Sequence, residues 1–295
     1  ICELNISEFN SMDCKYTTLK RSTLINFLKK GLDDNIKTDY DIKNIDLQNN
    51  EIKLSFENSK DIKCDYLIIS DGVFSKSKNL LSHNKLKPKY NNSLAIRGVI
   101  SKNRNNINNE NISLFLGSNF HQVIYPVGVD EDLNYIAVLK YKLSGKDLKN
   151  YSLFKDHSFI KKVKDKFPTN CEILKNLKDI EIYPIFVSNN FYKPQNKNIY
   201  FIGDAFFAFP PSFAQGASQS IEGAYELFNC FKNENRDNFF SGRLKKTKMI
   251  NKRSRLNQFA FQISNPISVF FRNILLKKSV KNKKFLENYL GKIYR

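Results

Sequence analysis

The residues with the clearest chemical meaning follow two apolar runs that each end at an acidic residue. Residues 65–72 read DYLIISDG, and residues 198–204 read NIYFIGD. Short continuous apolar runs are typical of strands in parallel sheets, which are buried on both faces. Ligands of such sheets bind beyond the carboxyl ends of the strands, where a carboxylate can accept hydrogen bonds from ligand hydroxyls. An Asp at a strand end is also a common turn former, so neither acid identifies a site alone.

The second run leads through a loop into the start of a helix. Pro210-Pro211 stiffens that loop, and Gly216 allows close backbone approach where a helix is predicted over 216–231. A helix N-terminus offers unpaired N–H groups and partial positive charge. The start of this helix would therefore suit the anionic edge of a ligand, such as N1 and the C2 carbonyl of a reduced flavin.

These segments resemble motifs of the flavin-dependent aromatic-ring hydroxylases, including the p-hydroxybenzoate hydroxylase-like and ubiquinone-biosynthesis enzymes. Residues 203–218 (GDAFFAFPPSFAQGAS) resemble the family signature G-D-A-x-H-x-x-x-P-x-x-G-Q-G-x-N, and residues 65–78 resemble its apolar strand followed by D-G-x-x-S-x-x-R. Residues 18–24 are similar to the R-x-x-L that opens a family helix, 124–126 to its Tyr-Pro strand, and 243–276 to its C-terminal helices. The motifs occur in the family's order over nearly the whole chain.

The resemblance implies FAD as the cofactor, and assigns it eight contacts: Arg21, Asp71, Gly72, Gly203, Asp204, Pro211, Gly216 and Ala217. Gly203 and Asp204 would contact the pyrophosphate and ribityl chain, with Asp71 and Gly72 near the pyrophosphate. Pro211 would lie near the flavin ring, and the amides of Gly216 and Ala217 would reach the C2 carbonyl. For Asp71 and Asp204 a turn-forming role stays open, as does a plain surface charge for Arg21.

The sequence also departs from the family pattern. Phe207 replaces the usual His, Ala214 a Gly, Ser218 an Asn and Lys78 an Arg, so family side-chain roles at these positions are not expected. The N-terminal G-x-G-x-x-G loop that cradles the FAD pyrophosphate does not occur in these 295 residues. The chain is therefore expected to be a fragment or to lack that segment.

The reaction that the resemblance implies is monooxygenation. NADH or NADPH reduces FAD, oxygen gives a flavin C4a-hydroperoxide, and one oxygen atom is placed on an aromatic or quinone-precursor ring. Because the cofactor carries this chemistry, no catalytic protein residue is predicted. Candidate substrate contacts are Arg97, His121 and Tyr125, although each is also compatible with a plain strand role. A partner is expected in the form of a small aromatic or prenylated ring.

The elements that position these residues predict a mixed α/β (α+β) fold. A helix is predicted over 18–32, a half-buried strand over 51–56, a mostly antiparallel sheet over 93–140, helices over 145–180 broken at Pro168, and helices over 236–295 broken at Asn265-Pro266. The resemblance implies an incomplete Rossmann-like FAD-binding domain over 1–82 and 184–235. It also implies an inserted substrate-binding sheet over 83–183 and C-terminal helices over 236–295.

The amino-acid composition narrows the possible functions of the protein further. The net charge of +19 comes with basic residues spread along the chain and no groove-reading motif, which disfavours nucleic-acid binding and leaves weak attraction to anionic lipids or substrates. Five cysteines without a C-x-x-C pair, and only three histidines, predict reduced, buried thiols and no metal site in a cytoplasmic protein. Residues 259–276 (FAFQISNPISVFFRNILL) are compatible with peripheral contact to the inner membrane, although a helix pair packed on the core is favoured.

Two other functions remain open from the sequence. A flavoprotein reductase or dehydrogenase acting on a polyprenyl lipid would use the same motifs, and the product mass distinguishes it because hydroxylation adds one oxygen atom. A degenerate, non-catalytic binding protein is suggested by Phe207 and the missing glycine loop. An upstream G-x-G-x-x-G would remove most of the support for that third reading.

Overall fold

The computed structural model describes all residues except 11, 13–14, 49–50, 84–85, 102–109, 129–131, 169–172, 174–176, 189–190 and 295. The chain forms two compact units. The first, here the sheet unit, comprises Ile1–Lys30, Asn92–Ile185 and Phe259–Arg295; the second, here the parallel-strand unit, comprises Gly31–Asn91 and Phe186–Gln258. The three boundaries between the four segments predicted from the sequence stay a prediction.

The sheet unit is built on five strands in the order β6-β7-β8-β5-β9. Their bounds are β5 (Lys89–Ile100), β6 (Ser113–Gly117), β7 (Phe120–Pro126), β8 (Leu133–Lys140) and β9 (Leu177–Val187). The pairs β5–β8, β6–β7 and β7–β8 are antiparallel, which confirms the predicted sheet. Alternate side chains from one face form the core with residues from the following helical segment, among them Leu94, Ile96, Tyr135, Phe159 and Val163.

The segment predicted to be helical over 145–180 is only partly so. It contains α3 (Gly145–Lys149), a 3-10 turn (Tyr151–Lys155) and α4 (His157–Lys164), which end before Pro168. Residues from Leu177 onward form β9, so the predicted helix is wrong there. Asp179, with a left-handed φ of 50°, interrupts the strand's alternating pattern; Pro184 is tolerated because β9 lies at the edge of the sheet.

The parallel-strand unit contains two small sheets. Strands β1 (Ile42–Gln48), β2 (Glu51–Phe56) and β3 (Ile62–Cys64) are antiparallel, while β4 (Leu67–Ile69) and β10 (Ile199–Phe201) pair in parallel. The predicted strand over 51–56 and both predicted apolar strands are thereby confirmed. The predicted burial of β4 on both faces is wrong, because Ile69 belongs to the core but Ile68 is 48% exposed.

The remaining helices are α1 (Arg21–Lys29), α2 (Lys76–Leu81), α5 (Gly203–Phe206), α6 (Gly216–Lys232), α7 (Asp237–Phe261), α8 (Pro266–Ser279), α9 (Lys283–Leu286) and α10 (Lys292–Tyr294). Short turns of other helix types span Ile6–Phe9, Asp33–Asn35 and Glu287–Gly291. The Asn265 side chain caps α8 and Pro266 occupies its first turn, which confirms the predicted break. Helix α1 lies within the predicted 18–32 segment and has no buried residue.

The face that α6 buries differs from the one its apolar residues predict. Ala217, Ile221, Ala224, Leu227, Phe228 and Phe231 share a side by helical spacing. The structure instead buries Gln219, Gly223 and Leu227 and leaves Phe228 61% exposed. Gly223 explains the rotation, because a Cβ there would come within 3.1 Å of Nε of Arg243, which packs against this side.

Three of the five cysteines lie among the described residues. Cys2, Cys64 and Cys230 are free thiols; Cys2 is exposed and the other two are partly buried, so the expected burial is wrong for Cys2. Cys14 and Cys171 lie outside the described residues. Among the residues that the structure describes, no three His, Cys, Asp or Glu side chains cluster as metal ligands. None of the described helices is both long and apolar enough to cross a bilayer.

Candidate functional site

The parallel pairing of β4 with β10 brings the two acidic turns to the same edge of the strand pair. Leu67 pairs with Ile199 and Ile69 with Phe201, and the amide of Ile202 donates to the Ile69 carbonyl at 3.0 Å. Because parallel strands end at the same edge, Asp71-Gly72 and Gly203-Asp204 both leave from it. Gly72 (φ 81°) and Gly203 (φ 58°) adopt left-handed backbone conformations, which explains glycine at each turn.

A shallow crevice lies beside the second of these turns. Its lining residues include Gly203, Asp204, Gly216, Ser220 and Arg243, and its volume of about 10 Å³ is that of roughly one water molecule. The Asp204 carboxylate is accessible to solvent, yet protein surrounds it, and this partial desolvation raises its pKa. The described residues therefore form one open wall and not an enclosed pocket.

The N-terminus of α6 forms part of this wall. The residue before the helix, Gln215, makes no side-chain capping hydrogen bond, and Gly216 is exposed with no atom within 4 Å of the position that a Cβ would take. The first N–H groups of a helix have no partner inside it, and α6 is long enough, at 17 residues, to carry a full macrodipole. Gly216 and Ala217 can thus donate to an anionic ligand edge. Pro211 is exposed in the preceding turn, where its carbonyl accepts from the Ala214 amide at 2.9 Å.

Ala214, which stands where the resembled signature has glycine, adopts a left-handed backbone conformation. Its φ is 51°, in the left-handed region that costs a residue with a Cβ about 1 kcal/mol. Ala214→Gly is therefore expected to raise the free energy of unfolding by about 0.5–1 kcal/mol, measured by urea denaturation. Ala217→Gly, in the first turn of α6, is the matched control and is expected to lower it. An equal loss for both variants would contradict the strain at Ala214.

Arg243 is the most highly connected charged side chain near the crevice. It is 3% exposed; its Nη2 donates to the Gln219 carbonyl (2.6 Å) and Oε1 (2.8 Å), and its Nη1 to Glu226 (3.2 Å) and Glu222 (3.5 Å). Lys246 also pairs with Glu222. This network fastens α7 to α6. Sequence reasoning placed Arg243 in a family motif but missed its role; the signal was the isolated Gly223 inside a helix, flanked by acids.

Lys78 and Asp71 lie behind the first turn. Lys78 is 6% exposed and its Nζ lies 3.4 Å from the Phe206 carbonyl and 5.5 Å from the centre of the Phe201 ring. Burial lowers its pKa to about 8, against the opposing effect of Asp71. Asp71 accepts a hydrogen bond from the Ser77 amide (3.0 Å), so one of its oxygens caps α2. A structural role for Asp71 is thus present beside the predicted one.

Phe207, which replaces the family's histidine, is a core residue. It is 3% exposed and stacks on Phe191 with ring centres 4.6 Å apart and an interplanar angle of 14°. Phe206 belongs to the same core cluster. At least these two of the aromatic residues near the loop are therefore used for packing.

The three predicted substrate residues lie on one face of the five-stranded sheet. Arg97 pairs with Ile136, and His121 pairs with Val138. Tyr125 follows His121 by four residues on β7, so its side chain lies on the same face of the sheet. His121 is 2% exposed, its Nδ1 lies 3.4 Å from Nε2 of Gln262, and burial lowers its pKa to about 4; these features favour packing.

Arg97 and Tyr125 are the more accessible pair. Arg97 is exposed, with its guanidinium 5.5 Å from the ring centre of Tyr183. Burial raises the pKa of Tyr125, and the charge of Arg97 opposes this shift. Arg21, the first residue of α1, belongs to the same unit and its charge acts on Tyr183, whose pKa is raised chiefly by a hydrogen bond to Glu181. The predicted FAD contact of Arg21 stays a prediction.

Comparison with known proteins is informative for structures and not for sequences. No protein-family model matches the chain, and no curated protein does. Klebsiella pneumoniae HpxO in complex with FAD and uric acid is similar with a TM-score of 0.67 at 12% identity, over 92% of this chain and 70% of that one. A salicylate hydroxylase substrate complex gives 0.62 at 16%, over 88% and 71%.

A third similar structure is a putative FAD-containing monooxygenase from Photorhabdus luminescens subsp. laumondii TTO1, with a TM-score of 0.63 at 16% identity, over 82% of this chain and 73% of that one. Identities this low establish the fold alone. The chain has a mixed α/β fold shared with FAD-containing monooxygenases and hydroxylases, as its motifs predict.

Proposed function

We propose that this chain functions as an FAD-dependent monooxygenase that hydroxylates an aromatic or quinone-precursor ring with NADH or NADPH and oxygen. The observation that carries the proposal is the placement of Gly203-Asp204 beside the uncapped N-terminus of α6. The shared fold and the order of the motifs support it. When bound, FAD supplies the redox chemistry and the activation of oxygen.

The chain's own residues bind and orient this cofactor. The Asp204 carboxylate accepts hydrogen bonds from ribityl hydroxyls, and Gly203 keeps the adjacent backbone clear of side chain. The amides at Gly216 and Ala217 donate to the pyrimidine edge of the flavin, where the macrodipole of α6 favours negative charge. Asp71 and Gly72, which leave the neighbouring strand at the same edge, extend this surface toward the pyrophosphate.

The substrate is proposed to bind on the sheet face that carries Arg97 and Tyr125. Arg97 offers a fixed positive charge and donors in a fork, which suits a substrate with an anionic or phenolic oxygen. The Tyr125 hydroxyl, whose pKa is raised by burial, stays protonated at neutral pH and can donate a hydrogen bond. His121 is buried on the same face and would act by packing.

The cofactor part of the proposal is tested by titrating the protein with FAD and following the quenching of flavin fluorescence. Asp204→Asn is expected to weaken binding about tenfold or more, because a hydrogen bond to a charged group contributes about 1.5–3 kcal/mol. Asp65→Asn is the matched control: Asp65 precedes β4 and so lies at the opposite end of the strand pair. It is expected to leave the affinity unchanged.

Two results would contradict the proposal. Absence of FAD binding by the whole protein removes the cofactor assignment. FAD binding with NAD(P)H oxidation, but with a product that gains no oxygen atom from labelled dioxygen, replaces the monooxygenase by a reductase of the same fold.

A further inference from the structure

Helix α8 presents a row of large apolar side chains to solvent. Ile267, Phe270, Phe271 and Leu275 are 69%, 62%, 58% and 63% exposed. At 3.6 residues per turn they lie within one half of the helix circumference. The opposite half is anchored, because Arg272 is 7% exposed and its Nη1 donates to the Ala260 carbonyl in the last turn of α7 at 3.4 Å. The apolar row is therefore held outward by the packing of the helix.

Positively charged residues follow this row along the chain. Five exposed lysines occur between residues 277 and 284, namely Lys277, Lys278, Lys281, Lys283 and Lys284. No Asp or Glu occurs between residues 238 and 286. We call the four apolar side chains and these five lysines the α8 face. Phenylalanine, isoleucine and leucine beside lysines are the composition of helices that lie in a membrane interface.

Exposed apolar side chains on a helix do not by themselves indicate a surface that binds a membrane, as helix α6 shows. It also exposes large apolar side chains, at Ile221, Tyr225 and Phe228. On that helix Glu222 and Glu226 pair with Arg243 and Lys246, and the five residues after it, 233–237, contain two acidic residues and one arginine. Of these two helices, only α8 is followed by a cluster of lysines, which complements an anionic surface.

We propose that the α8 face docks this protein onto an anionic lipid bilayer. The 14 residues of α8 extend about 21 Å, so the helix lies along the surface with its apolar row among the headgroups and outer acyl carbons. The lysines bind lipid phosphates and carboxylates, each strengthening binding about fivefold at a cell-like surface charge. This inference does not depend on the proposed monooxygenase activity, although it would bring the protein to apolar ring substrates dissolved in the membrane.

The experiment is co-sedimentation of the protein with phosphatidylcholine vesicles that contain or lack about 30% phosphatidylserine. The wild-type protein is expected to bind the anionic vesicles and to bind the neutral ones at least tenfold more weakly. Phe270→Gln/Phe271→Gln keeps every charge and is expected to reduce anionic binding tenfold or more. Lys283→Gln/Lys284→Gln is expected to reduce it about 25-fold. Tyr225→Gln/Phe228→Gln on α6 is the matched control and should bind like the wild type.

Three outcomes overturn the inference. The wild-type protein fails to bind anionic vesicles; or the Phe270/Phe271 variant, with an unchanged melting temperature, binds as well as the wild type, which reduces the attraction to net charge. In the third, the wild-type protein forms a concentration-dependent dimer that this variant abolishes, without vesicle binding, so that a second copy covers the α8 face.

Discussion

Arg243→Ala is expected to lower the free energy of unfolding by about 3–5 kcal/mol, because it removes one partner of a buried ionic network. The guanidinium is 3% exposed and satisfies Gln219, Glu222 and Glu226 at once. Burial raises the pKa of Glu226, and Arg243 opposes that rise. Without the cation, a carboxylate and the Gln219 carbonyl would stay desolvated without their strongest donor. Urea denaturation of the two proteins measures the difference.

Two further variants distinguish loss of the hydrogen-bonded network from loss of a positive charge. Lys245→Ala removes an exposed cation from the same helix and is expected to change stability by less than about 0.5 kcal/mol. Arg243→Lys keeps the charge but not the fork of donors, so it should fall between the other two. A loss of less than about 1 kcal/mol in Arg243→Ala would show that water replaces the guanidinium and that the network contributes little.

The local sequence pattern was sufficient to predict the strands and the helix that position the candidate cofactor site. The apolar runs before Asp71 and Asp204 predicted the parallel strands β4 and β10, because short continuous apolar runs that end at a turn are typical of strands in parallel sheets. Gly216 predicted the first residue of α6, since the loop before it contains two prolines and the residues after it have helical periodicity. These features are encoded by neighbouring residues, which is why a single sequence reveals them.

Features that depend on distant residues were not predicted. The buried side of α6 follows from Arg243, which is 20 residues away from Gly223 and reaches it only after α7 folds back. The start of strand β9 was missed because Asp179, with a φ of 50°, interrupts the alternation, so only its pairing at the sheet edge identifies the strand. Lys78 was recognised as a departure from the family's Arg, but its burial and its contact with the Phe206 carbonyl come from the packing of α2 on the second loop.

Lys78→Met is expected to raise the free energy of unfolding at neutral pH by about 1–2 kcal/mol. Burial lowers the pKa of Lys78 from 10.5 to about 8, which corresponds to about 3 kcal/mol against the charged form at pH 7. Loss of the hydrogen bond to the Phe206 carbonyl destabilises the variant by about 1 kcal/mol and so offsets part of this effect. Methionine keeps the length of the side chain and fills the same space without a charge.

The pH dependence identifies the cause. Between about pH 8 and pH 10.5 the unfolded chain holds the Lys78 proton more firmly than the folded one, so wild-type stability gains from this group as pH rises through that window. Lys78→Met lacks this contribution, and its advantage should shrink steadily above pH 8. The stability difference between the two proteins isolates Lys78 from other titrating groups, and Lys76→Met, which removes an exposed lysine and its ion pair with Asp41 from the same helix, is the control for the loss of a cation. If Lys78→Met is instead less stable at pH 7 and the difference does not vary up to pH 10, then the contacts to Phe206 and Phe201 outweigh desolvation, and Lys78 fastens the two turns of the candidate site as a stable cation.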